Sequence, residues 1–183
     1  MKNKFYASIL LISCFLLTGC PDDRSITYST IKSVKPLLFS FQENGIYPYL
    51  DHFNREELGI GIIPDSTMDK RIYFSAFLSD LPTYARSDPN EYVQTNQIDS
   101  VNIFTVYDFN ENYPAGSKIN EMLLYLDGMG DTSPIENLSE QKFVSLSLKF
   151  SEIPSHDTLQ FRVTGRITDE GTFDEKTELV ILD

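Results

Sequence analysis

The sequence predicts an all-β chain, a single antiparallel β-sandwich with one short helix. Three observations predict it. Apolar and polar residues alternate over several stretches, the period of strands with one face on a core and one in water. Pro, Gly, Asp and Asn gather between those stretches, where turns belong. Helical spacing of apolar residues breaks the pattern at one place, residues 117–126.

The elements follow in order. Leu37, Phe39 and Phe41 alternate with Leu38, Ser40 and Gln42. Leu58, Ile60 and Ile62 alternate with Gly59, Gly61 and Ile63, and Pro64-Asp65-Ser66-Thr67 then reads as a turn. Ile72, Phe74, Ala76 and Leu78 form the next apolar face. Residues 98–107 are rich in Val, Ile, Phe and Tyr, a strand composition with both faces mixed. Ile119, Met122, Leu123 and Leu126 share one face at helical spacing, with Ser117 as a cap. Val144, Leu146, Leu148 and Phe150 alternate with Ser145, Ser147 and Lys149. Leu159, Phe161, Val163, Gly165 and Ile167 alternate with Gln160, Arg162, Thr164 and Arg166. Asp169-Glu170-Gly171 is a bulged hairpin loop, with Gly171 free to take positive φ. Phe173, Leu179 and Ile181 supply the apolar face of the returning strand. About seven strands joined by turn-rich connections predict a sandwich of immunoglobulin-like type, without the Trp of true immunoglobulin domains.

The start of the chain has a different character. Lys2 and Lys4 precede a mostly apolar run from Phe5 to Leu17, which ends in Leu16-Leu17-Thr18-Gly19-Cys20. A basic head, a short apolar run and small residues are the parts of a secretory signal. The run falls short of the roughly 20 residues of a spanning helix. Leu-Leu-Thr-Gly-Cys resembles the lipobox of bacterial lipoproteins. The resemblance implies cleavage before Cys20 and acyl chains, palmitate among them, on its sulfur and new amino group. Several chains make a stable anchor where one holds only marginally. Asp22 and Asp23 follow directly. Such an acidic pair resembles the export signal of Bacteroidetes-type surface lipoproteins, and implies the outer face of the outer membrane, with its periplasmic face as the alternative. With Glu56-Glu57-Leu58-Gly59-Ile60 and the closing Phe161–Ile181 hairpin, the chain resembles the small lipoproteins of those bacteria, which carry one β-rich domain. That resemblance brings no catalytic residues. The expected organisation is a signal over 1–19, a lipidated cysteine and tether over 20–30, and the β domain over 31–183.

Composition narrows the partners. The 183 residues carry 27 acidic and 15 basic side chains, a formal charge of −12, and loss of Lys2 and Lys4 with the signal makes it −14. Nucleic acid is bound mainly through Lys and Arg, so it is excluded as a partner. Cys14 leaves with the signal and Cys20 carries lipid, so the domain stands on packing without disulfides.

No catalytic constellation emerges, and no pattern asks for a cofactor. Ser155-His156-Asp157 has the three residue types of a hydrolytic triad, but adjacent residues do not converge as a relay requires. His52 and His156, 104 positions apart, show no metal-ligand spacing. Asp108, Asn110 and Asn112 begin like a calcium loop, but Tyr113 and Ile119 stand where that loop needs Gly and Glu. The stretch reads as a polar loop, as does Asp127–Asp131. Tyr47, Tyr49, Tyr84, Tyr92 and Tyr113 lie in or beside expected loops, and Tyr offers rigid amphipathic contact area. The sequence therefore predicts a non-catalytic module binding an outer-membrane or neighbouring protein, with glycan binding through the same tyrosines as the alternative.

Overall fold

A computed structural model describes residues 23–42, 45–48, 55–75, 90–126, 131–135 and 137–182, and it is all-β. Its strands are β1 (Asp23–Gln42), β2 (Gly45–Pro48), β3 (Leu58–Ser75), β4 (Asn90–Gln94), β5 (Ile98–Thr105) and β6 (Leu123–Leu126). They continue with β7 (Thr132–Pro134), β8 (Leu146–Phe150), β9 (Thr158–Leu159), β10 (Phe161–Ile167), β11 (Gly171–Lys176) and β12 (Val180–Ile181). One sheet runs β2-β1-β3-β8-β6-β7, with β4 also paired to β1; a second runs β11-β10-β5; β12 pairs with β9.

The chain divides into two compact units, Met1–Tyr28 with Asp69–Val93, and Ser29–Met68 with Gln94–Asp183. In the first, Arg71 Nε donates to the buried Thr27 hydroxyl at 3.2 Å. The second holds the core. Ile31, Val34, Leu58, Ile60, Ile62, Leu146 and Leu148 enter it from one sheet, and Ile98, Val101, Ile103, Phe161, Val163 and Ile167 from the other. Phe109, Phe150 and Phe161 meet at ring separations of 5.1 to 6.2 Å. Tilted and offset contacts of this kind suit aromatic quadrupoles.

Period two produces β8 and β10 as expected. Leu146, Leu148 and Phe150 are buried while Ser147 and Lys149 are half-buried, and Phe161, Val163 and Ile167 are buried while Arg162 and Arg166 are exposed. β10 and β11 form the expected hairpin, closing at Ile167 opposite Gly171, with φ +68° at Asp169 and +117° at Gly171.

Four expectations are corrected. Residues 117–126 are not a helix: Asn120–Met122 make one 3-10 turn and Leu123–Leu126 are β6, paired to β8 through Leu123 and Phe150. So short a helix is marginal in isolation, and the edge of β8 offers a ladder instead. Pro64–Thr67 is not a turn, because β3 runs on to Ser75. β8 pairs with β3 over Gly59–Ile62, so Pro64 lies beyond that ladder. The tether expected over 20–30 is strand from Asp23 onward, with Ser25, Thr27 and Ser29 buried. Of the apolar side chains expected on the returning strand, Phe173 is half-buried and packs against the core, whereas Leu179 and Ile181 are exposed and Leu182 is buried instead. Thr177 sets that register, its hydroxyl accepting from the Phe161 N–H at 3.0 Å and its own N–H donating to the Phe161 carbonyl at 2.9 Å. A one-residue change of register exchanges the two faces of a strand.

Candidate interaction surface

The expected contact residues fall in different places. Cys20, Asp22, Tyr49, Tyr84 and His52 lie outside the described residues, and Asp23 opens β1. Tyr47 lies in β2, opposite Ser40 of β1. Tyr92, on β4, is 62% exposed, and its hydroxyl reaches an Asp69 carboxylate oxygen at 3.5 Å. Tyr113 is half-buried and packs against the core, so most of its ring belongs to the fold. Its hydroxyl donates to Glu121 Oε1 at 3.5 Å, and burial, helped by Glu121 and Glu152, pushes the phenol pKa above its ordinary value.

Two of the three side chains that begin like a calcium site, Asp108 and Asn110, each turn one oxygen to the loop's own backbone. Asp108 Oδ1 accepts from the Ala115 N–H at 2.7 Å, and Asn110 Oδ1 accepts from the N–H groups of Asn112 and Tyr113, both at 3.0 Å. Asn110 Nδ2 donates to Glu152 Oε2 at 2.7 Å. Asn112 offers only its N–H to this network and is exposed. The arrangement is an Asx turn that drives Phe109 into the core.

Ser155, His156 and Asp157 also serve the fold. The Ser155 N–H donates to the Phe109 carbonyl at 2.9 Å, and the Asp157 carbonyl accepts from the Leu182 N–H at 2.7 Å. Arg55 donates to the carbonyls of Pro154 and His156 and pairs with the Asp157 carboxylate. The imidazole of His156 is exposed.

A surface that the sequence reading did not single out is the outward face of the β11-β10-β5 sheet. Arg162, Thr164 and Arg166 alternate with core residues on β10, so all three point away from the core. Arg166 binds Asp99 side-on, Nε to Oδ1 at 2.9 Å and Nη2 to Oδ2 at 2.8 Å. The Asp99 side chain is 5% exposed and that of Arg166 57%. These hydrogen bonds hold the Asp99 carboxyl below its ordinary pKa, although burial opposes them. Arg162 makes the same side-on pair with Asp174 on β11 and lowers that carboxyl too.

Between the two pairs the β5–β10 ladder is irregular. Thr164 faces Asn102 and Arg166 faces Asp99, so Ser100 and Val101 together oppose Gly165. Ser100 takes φ +57°, a left-handed conformation that a β-bulge uses and that a serine adopts at a cost. An open groove of about 420 Å³ lies here, lined by Ser100, Thr164, Arg166, Thr172 and Asp174 with Gly165 and Phe173 at its floor. The alternation of Arg162, Thr164 and Arg166 was the readable signal. The carboxylate partner of Arg166 was not readable, since Asp99 is 67 positions away. A second groove, of about 500 Å³, is lined by Lys118, Asn120, Glu121, Ile135, Leu138 and Ser139. Among the described residues no three His, Cys, Asp or Glu side chains gather as metal ligands do.

No family model matches the chain, and no curated protein or solved structure matches it.

Proposed function

We propose that the chain is a lipoprotein anchored in the outer membrane through acyl chains on Cys20, facing outward, and that its β domain is a non-catalytic protein-interaction module. The observation that carries the reading is the run Leu16-Leu17-Thr18-Gly19-Cys20 behind a basic head and an apolar stretch, followed by Asp22 and Asp23. Such an anchor concentrates a small domain beside the membrane proteins it would serve. The structure supports the second half in one respect. The polar residues that suggested chemistry, from Asp108 to Asn112 and from Ser155 to Asp157, hold loops in place, while Tyr92 stands exposed as a contact ring. Both sheets contribute side chains to one core, and we propose that they pack as an immunoglobulin-like sandwich.

Mild crosslinking in intact producing cells tests the reading. The native chain is expected in the membrane fraction, joined to one recurrent protein partner. Cys20→Ser is expected to leave the membrane fraction and to lose that partner. Recovery of monomer alone, with a control protein crosslinked efficiently, rejects the interaction role, and a Cys20→Ser chain that stays in the membrane rejects the anchor.

A further inference from the structure

We infer that the outward face of β10 is a binding site for a short oligosaccharide, read through the guanidinium groups of Arg162 and Arg166. The site is independent of the protein-interaction reading and of the tyrosines that suggested a glycan.

Three observations converge on it. First, both guanidinium groups are held side-on by a carboxylate, through Nε and Nη2. Their end-on edges, Nη1 and the second Nη2 hydrogen, have no partner among the described residues. A planar fork with one edge fixed and the other free is preoriented for a pair of oxygens, whether a vicinal diol or a sugar carboxylate. Second, the carboxylate behind Arg166 is buried while the guanidinium is exposed. Burying Asp99 carries a desolvation penalty that an ordinary surface pair avoids, and its effect here is to fix the direction of an exposed cation. Third, the strained Ser100 bulge lies between the two forks and shapes the groove. Bulges and strained residues recur where a side chain must be aimed at a ligand.

The geometry favours a sugar over a protein. The forks are four residues apart on one strand, about 13 Å at the usual rise per residue. Thr164 and Thr172 line the groove beside Arg166, and Asp174, the partner of Arg162, lines it too. A protein interface is centred on desolvated apolar anchors, whereas this face is polar along its length. The exposed Arg162–Asp174 couple is neutral as a unit and offers donor and acceptor side by side, which matches a sugar hydroxyl's two roles, while Arg166, its Asp99 partner buried, offers donors alone. Exposed Lys176, opposite Arg162, adds one positive charge that favours an acidic sugar.

Calorimetric titration of the full chain with neutral gluco-oligosaccharides and with oligogalacturonides tests the inference. Heat of binding is expected with one of the two sets, and the responding set identifies the oxygens as hydroxyls or carboxylates. Arg162→Gln, at an exposed pair, is expected to weaken that binding about tenfold, the effect of losing a charge-assisted contact. Arg166→Lys keeps the charge but loses the fork, and is expected to weaken it comparably. No heat with either set at millimolar sugar overturns the inference, and so does binding that neither substitution changes.

Discussion

Gly165 faces Phe173 across the β10–β11 pair, and a Cβ built there would stand 2.5 Å from the phenyl Cζ and 3.1 Å from the Asp99 carbonyl oxygen. The ring covers the backbone that the glycine leaves bare, and the same close approach admits the bulge at Ser100. Gly165→Ala must push the ring or the strand aside, and overpacking of this kind costs about 1–3 kcal/mol. Thermal unfolding is expected to show a lowered Tm, with part of the loss recovered in Gly165→Ala/Phe173→Ala because the two residues touch. Asp99 sets the acid limb of stability. Its folded carboxyl titrates below the ordinary value, because Arg166 hydrogen-bonds the charged form. A lowered pKa stabilises the fold fully above the unfolded value of about 4, and that contribution disappears as pH falls below it and through the folded value. Unfolding midpoints followed from pH 7 to acid should therefore fall less steeply in Asp99→Asn than in the parent. An identical acid limb would show that the pair contributes nothing. Asp174 is exposed beside Arg162, where solvent screens the interaction, so it adds little to this limb.

At the scale of elements, residues 117–126 are the most instructive. The four side chains that predict a helix, Ile119, Met122, Leu123 and Leu126, are all buried. Their burial was legible and their conformation was not. Asn120 is the reason. Its Oδ1 accepts from the Ile103 N–H at 2.9 Å and its Nδ2 donates to the Val101 carbonyl at 2.9 Å, so one side chain stands in for a strand partner beside β5. Asn96 repeats the device, pairing with both backbone groups of Ile31 just beyond β4. Asn120→Ala would leave two backbone groups of β5 without partners, at about 1–3 kcal/mol. Urea unfolding of that variant should show a lower midpoint with an unchanged m-value. Single-residue propensity cannot reveal such a role, because an asparagine that caps a turn and one that completes a ladder have the same local sequence signature. The Pro64 segment was misread for a related reason. Proline near Asp and Ser signals a turn locally, but its missing N–H matters only where a neighbouring strand needs it.

For the whole molecule, a protein with a formal charge of −12 keeps three of its cations, Arg162, Arg166 and Lys176, on one sheet face. The core lies within Ser29–Met68 and Gln94–Asp183 and takes side chains from both sheets. By itself the sequence determined what depends on neighbours along the chain. That covers the all-β class, the faces of β8 and β10, and the hairpin closed by Gly171. Only the tertiary structure decided what depends on distant partners. It joined Asp99 to Arg166, used Asn110 and Asp108 to hold a loop, made a strand of Leu123–Leu126, and exposed Ile181 while burying Leu182. The physical reason is that alternation records which side of a strand is wet, whereas pairing and register are set by contacts between residues tens of positions apart.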